Sequence, residues 1–226
     1  MPSVLITGAS RGIGLELARQ YQKDGWRVLA TCRKPAEAKA LAALKPAAIE
    51  QLDVADHVSI KTAARKLEGE AIDVLFNNAG IIGTRGLKFG TFDYDVWDEV
   101  MRVNAFGPIA VAEAFMPHLE RGTKKTIVAV TSMMGSIGQN AAGNECIYRS
   151  SKAALNMAMK CLAIELGPKG VTAVMFHPGH VKTDMGGPTA PVGSADSASG
   201  MRAVLAKVSQ ADNGKFYNFD GAEIPW

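Results

Sequence analysis

Tyr148-Arg149-Ser150-Ser151-Lys152 sets a phenol and an ammonium four residues apart, and on a helix that spacing brings both to one face. A phenol so held can give its proton to an oxygen on which negative charge develops, while the ammonium stabilises the phenolate left behind. Because a free phenol titrates near pKa ~10, Lys152 is expected to lower Tyr148. Ser132 offers a hydroxyl that can donate to the same oxygen, with Ser136 as a competing donor. A second group, Thr7-Gly8-Ala9-Ser10-Arg11-Gly12-Ile13-Gly14, suits a pyrophosphate. Its glycines permit a tight turn and close backbone approach, and the helix N-terminus that follows favours negative charge. His177 and His180 have no third ligand, so no metal site is expected. Either motif alone also occurs as a plain turn or a surface pair.

The apolar pattern predicts the elements that must hold these groups. Runs at 4–7, 27–31, 48–52, 73–77, 126–131, 171–177 and 216–219 read as strands, several of them apolar on consecutive residues. That is the signature of parallel strands covered on both faces. Ile13, Leu17, Ala18 and Tyr21 keep helical spacing, as do Val96, Val100 and Val103, and then Ala153, Leu155, Met159, Leu162 and Leu166. Strand and helix alternate, which predicts an α/β fold: one doubly wound, Rossmann-type domain over residues 1–226, with a parallel sheet of about seven strands flanked by helices. The glycine, proline, alanine and serine of 186–200 read as a mobile loop over the site.

Composition narrows the function classes. With 47% hydrophobic and 21% charged residues the chain can bury a sizeable core. A net charge of +3 without blocks of like charge does not imply nucleic acid. No apolar run is long enough for a membrane span and no basic leader precedes Val4, so a cytoplasmic protein is expected. Cys32, Cys146 and Cys161 are odd in number and lack CxxC spacing, which fits reduced thiols.

Together the motifs resemble the short-chain dehydrogenase/reductase family along essentially the whole chain. The resemblance rests on Gly8, Gly12 and Gly14; on Asn77-Asn78-Ala79-Gly80; on Asn104, Ser132, Tyr148 and Lys152; and on Pro178-Gly179-His180-Val181-Lys182-Thr183. Thr31-Cys32-Arg33, Asp184-Met185-Gly186-Gly187 and the segments Phe219-Asp220-Gly221 and Pro225-Trp226 look most like the C-factor and sniffer type of carbonyl reductase. The resemblance implies hydride transfer between a nicotinamide and a small ketone, aldehyde or quinone, with Tyr148 as general acid/base. Asn104 would hold a water joining Lys152 to solvent protons. It implies cofactor contacts from Gly8, Ser10, Arg11, Gly12, Ile13, Gly14, Arg33, Asp53, Val54, Asn78, Ala79, Gly80, Tyr148, Lys152, Pro178, Gly179, Val181 and Thr183. Asp53 has an alternative use as a helix N-cap, and His180 reads as a pocket-wall residue.

Cofactor choice follows from charge. Cys32 stands where an acid would accept from unphosphorylated ribose hydroxyls. Arg33 and Arg11 could instead bracket a 2′-phosphate, so NADP(H) is the expected cofactor. A homodimer or homotetramer is also implied. The competing readings are a nucleotide-binding signalling or regulatory protein of the C-factor type and, with only a short chain after Lys152 to build a substrate domain, an epimerase or dehydratase.

Overall fold

The computed structural model describes residues 1–226. Seven strands, β1 (Ser3–Ile6), β2 (Arg27–Cys32), β3 (Ala48–Gln51), β4 (Val74–Asn77), β5 (Thr126–Val130), β6 (Thr172–His177) and β7 (Phe216–Asn218), form one sheet in the order β3-β2-β1-β4-β5-β6-β7. All pairings are parallel. The central strands are apolar on consecutive residues because both faces are covered. Val4 and Ile6 pack toward α1 (Gly12–Lys23), α2 (Lys39–Ala43) and α7 (Ser194–Leu205). Leu5 packs toward α3 (His57–Lys66), α5 (Gly107–Arg121) and α6 (Cys146–Leu166). Strand order reverses between β1 and β4, and a parallel sheet opens a crevice at the carboxyl ends of its strands at such a point.

The helix α4 (Tyr94–Met101) passes into α5 through a five-residue π turn, Arg102–Phe106, closed by Gly107 N–H donating to the Arg102 carbonyl. Inserted π turns gather at functional sites, and this one contains Asn104. At the other end of the sheet Asp73 accepts from Ser3 N at 2.8 Å, Thr123 N at 2.8 Å, Thr123 Oγ1 at 2.7 Å and Lys124 N at 3.2 Å. It thereby ties together the starts of β1, β4 and β5. Burial pushes this carboxyl up, but the hydrogen bonds from Thr123, Ser3 and Lys124 outweigh it and hold the pKa at about 2.

The loop expected over 186–200 is only partly a loop, because α7 begins at Ser194. The small residues that suggested a loop serve close packing instead. Ser197 Oγ donates to the Pro178 carbonyl at 2.6 Å, and a Cβ at Gly200 would stand 2.6 Å from the Phe219 carbonyl oxygen. The part before α7 is tied to the segment after β6 by Lys182 N to Val192 O at 2.8 Å and Val192 N to His180 O at 3.1 Å.

Candidate active site

The turn after β1 is built from its own backbone and from the end of β4. Thr7 Oγ1 accepts from Asn78 N at 3.0 Å and Ala79 N at 3.1 Å, while Asn78 Nδ2 donates to the carbonyls of Thr7 and Gly8 at 2.9 and 3.2 Å. This lacing lets no side chain intervene: a Cβ at Gly14 would lie 2.4 Å from the Gly8 oxygen. Gly8 sits at φ +66° and Gly12 at φ +56°, where other residues are strained. The next helix, α1, has Arg11 at its N-cap with no side-chain cap bond, so its first N–H groups are left for an anion in the cleft.

That cleft, about 520 Å³, runs along the carboxyl ends of the strands. It brings together Gly8, Ser10, Arg11, Gly12, Ile13, Arg33, Asp53, Val54, Asn78, Ala79, Gly80, Tyr148, Lys152, Pro178 and Thr183. Gly14, Gly179 and Val181 lie behind its wall and shape it: Gly179, at φ +85°, approaches Phe219, and Val181 bridges to Val192. Asp53 does not cap α3, whose N-cap is Asp56 accepting from Val58 N at 2.8 Å. His180 is exposed and bonds the Gly186 carbonyl at 2.8 Å instead of walling the pocket.

Tyr148 and Lys152 open α6 on one face, with Nζ 5.7 Å from the phenol ring centre. Both are buried, and Nζ donates to the Val130 carbonyl at 3.0 Å. Burial alone pulls Lys152 down to about 8. Tyr148 differs from expectation: burial pushes it up to about 12, against the downward pull of a hydrogen bond with Ser132 and the charge of Arg85. The net shift is thus upward and not downward, because the desolvation of a phenol this deep outweighs the groups that favour its charged form. Ser132 caps a short 3-10 turn, Met133–Gly135, accepting from Met134 N at 3.1 Å. Gly135 lets that turn lie on α6, since a Cβ there would stand 2.8 Å from the Lys152 carbonyl carbon. The competing hydroxyl is committed elsewhere: Ser136 Oγ donates to the Pro225 carbonyl at 2.6 Å. Gly138 N donates to the Trp226 carbonyl at 2.9 Å, and the Trp226 ring stacks on Phe216 at 5.7 Å. Residues 225–226 therefore clamp the loop that carries Ser132.

Asn104 stands outside the cleft. Its Oδ1 accepts from Ile81 N at 2.9 Å, and its Nδ2 donates to Ile81 O at 2.8 Å and Ser151 Oγ at 3.0 Å. Its amide thus spends both N–H groups and one acceptor site in fixing the wall behind Gly80 and Lys152.

One arginine of the expected phosphate pair is free and one is engaged. Arg33 is exposed at the cleft edge beside Cys32. Arg11 pairs with Asp184 at 2.9 Å across the cleft mouth. Thr183 Cγ2 lies 3.2 Å from where a Gly12 Cβ would be, and Arg85 donates to the Met185 carbonyl. Residues 183–185 thus form a strap from the glycine turn to the loop after β4. Spacing gave no sign of Asp184, Arg85, Ile81 or Pro225, since each acts on a residue far away in the chain.

A model of the family described as short chain dehydrogenase matches residues 2–191. The chain is 41% identical over 155 residues to the C-signal protein of Myxococcus xanthus, an alignment covering 69% of this chain and 93% of that one. It superposes with a TM-score of 0.91 on the NADPH-bound carbonyl reductase from chicken fatty liver, at 34% identity, covering 100% of this chain and 99% of that one. With the carbonyl reductase Sniffer of D. melanogaster the TM-score is 0.94 at 32% identity, and both chains are covered completely.

Proposed function

The chain belongs to the short chain dehydrogenase family, and on that premise we propose that it is an NADPH-dependent oxidoreductase acting between a carbonyl and its alcohol. The substrate class is a small ketone, aldehyde or quinone. The observation that carries the reading is the buried pair Tyr148 and Lys152 lining a cleft that also runs along a glycine turn on an uncapped helix, with Ser132 hydrogen-bonded to Tyr148. NADPH, when bound, supplies the hydride. The residues fit it: the turn leaves room for a pyrophosphate, unpaired Arg33 suits a 2′-phosphate, and Asp53 and Val54, lining the same cleft, would hold the adenine. Pro178 and Thr183 would hold the nicotinamide end, with Gly179 and Val181 supporting their backbone.

At the carbonyl oxygen Ser132 donates a hydrogen bond and Tyr148 gives its proton. A phenol held near 12 is fully protonated at neutral pH, and an alkoxide is a far stronger base than a phenolate, so the transfer runs downhill. Lys152 steadies the phenolate with its charge. Both Asn104 amide N–H groups are taken, so the water assigned to it, linking Lys152 to solvent, would donate to one of its oxygens.

The test is NADPH oxidation across aldehydes, ketones and quinones beside an NADH control. Oxidation with NADPH at kcat/KM at least about tenfold above NADH is expected. NADPH binding without turnover on any carbonyl would instead favour a regulatory nucleotide binder. The reading includes a cytoplasmic homodimer or homotetramer, supported by Met157 and Ile164, two turns apart on α6 and 67% and 68% exposed. Light scattering of the purified protein tests the assembly. No helix is long and apolar enough to cross a membrane.

A further inference from the structure

The loop after β4 brings a cation to the mouth of the catalytic cleft. Gly83 and Gly86, at φ +73° and +74°, bracket Arg85 and let the loop press close. A Cβ at Gly83 would stand 2.8 Å from Val100 Cγ2 and 4.0 Å from Ile147 Cγ2, and Gly86 N donates to Glu145 Oε1 at 3.3 Å. Glu145 and Ile147 stand at the start of α6, beside Tyr148. From this seat Arg85 reaches the strap, where a terminal nitrogen donates to the carbonyl of Met185, a residue that lines the cleft with Tyr148 and Lys152. Its charge is felt at the Tyr148 phenol, which it pulls downward against burial. No carboxylate pairs with this guanidinium, and its other N–H groups are without a protein partner on an exposed residue. The acids next to these residues are engaged, Asp184 with Arg11 and Glu145 with Gly86 N. Arg149, which follows Tyr148, differs: each of its nitrogens is tied, to Asn144 O at 2.8 Å, Asn144 Oδ1 at 3.1 Å and Met134 O at 3.4 Å.

We propose that Arg85 is a specificity-determining residue of this site: the carbonyl compound taken here carries a carboxylate, which Arg85 holds while the carbonyl meets Ser132 and Tyr148. The inference rests on the carbonyl reduction proposed above and names its substrate more closely. A guanidinium presents its donors as a planar fork that matches a carboxylate, and a single free cation balances a single negative charge, whereas a phosphate dianion would find one partner for two charges. Ile81 and Met185, which line the same cleft, offer contacts to the apolar body between the two groups. In the reaction the carbonyl carbon gains the hydride of NADPH and its oxygen gains the Tyr148 proton, giving the alcohol and NADP⁺ with the carboxylate unchanged.

The test compares 4-formylbenzoate with 4-isopropylbenzaldehyde, a neutral aldehyde of similar shape, in the native protein and in Arg85→Gln. The ratio of kcat/KM for the acid over the neutral aldehyde cancels whatever loss of the Met185 contact does to both. Arg85→Gln should lower that ratio at least about fivefold, chiefly through KM, and raised ionic strength should lower it in the native protein. Binding is read separately, by saturation-transfer NMR on the NADP⁺-loaded protein with 4-carbamoylbenzoate, whose amide carbonyl is not reduced. The native protein should hold it at least about fivefold more tightly than Arg85→Gln does, while neutral 4-isopropylbenzamide should bind both alike. A ratio unmoved in Arg85→Gln, or equal binding of 4-carbamoylbenzoate by the two proteins, would overturn the role of Arg85 and leave carbonyl reduction standing. Should neither aldehyde be reduced, the binding comparison decides for Arg85, and the reductase reading falls only if the wider screen of carbonyls is silent too.

Discussion

Burial sets Tyr148 and Lys152 apart from ordinary side chains. With the phenol pushed up and the ammonium pulled down, each sits in its proton-bearing form at pH 7, as a donor and its electrostatic support must. Tyr148→Phe removes only the donor, so turnover should fall at least about a hundredfold while NADPH binding, followed by fluorescence titration, stays as in the native protein. The kcat/KM for NADPH reports groups of the free protein. It is expected to be level at neutral pH and to fall as pH rises through about 8, where Lys152 loses its charge; a profile level far above that would place the charge elsewhere. Cofactor choice also belongs to single residues. Arg33 has no other partner, whereas Arg11 is already held by Asp184 in the strap. Arg33→Ala should therefore cut the NADPH-over-NADH ratio of kcat/KM by about tenfold or more, and Arg11→Ala by clearly less.

Among the elements, the loop after β5 shows how position is imposed on the hydroxyl proposed to act in catalysis. Ser132 caps its own short turn, Gly135 seats that turn on α6, and residues 225–226 hold the far side through Ser136 and Gly138. Ser136→Ala removes a buried hydrogen bond worth about 1 kcal/mol. It should lower the melting temperature slightly, and by loosening Ser132 it should lower kcat for carbonyl reduction with NADPH affinity unchanged. A loss confined to NADPH affinity would contradict the clamp. The strands and the glycine turn were legible in the sequence because apolar runs and glycine spacing are local. The π turn at Asn104 was not, since a single widened turn has no residue signature of its own. Ser194–Gly200 misled because small residues that let a helix press against its neighbours have the composition of a loop. Nor did the role of Ser136 show, because its partner Pro225 lies at the other end of the domain.

Across the whole molecule the two ends of the sheet carry different duties. Chemistry gathers at the carboxyl ends of the strands, while at the amino ends Asp73 joins three strand starts. Its folded pKa lies below its ordinary value of 3.8, so its contribution to stability is complete above that pH and is lost as pH falls through about 2. Chemical denaturation at stepped pH should show that loss, and Asp73→Asn, which leaves donors underserved, should cost about 1–3 kcal/mol at neutral pH. An unchanged stability for Asp73→Asn would mean that water replaces the carboxylate. At the opposite end the strap over the cleft hangs on Arg11 and Asp184, both mostly exposed, at 73% and 76%. Such pairs hold only about 0–1 kcal/mol and are screened by salt, so the closure is a fast, leaky latch. Its consequence is kinetic: salt should hasten the departure of spent cofactor while leaving the bond-making step alone. In stopped-flow traces Asp184→Asn at low salt should therefore behave as the native protein does at high salt, making ionic strength a throttle on turnover wherever release is the slow step.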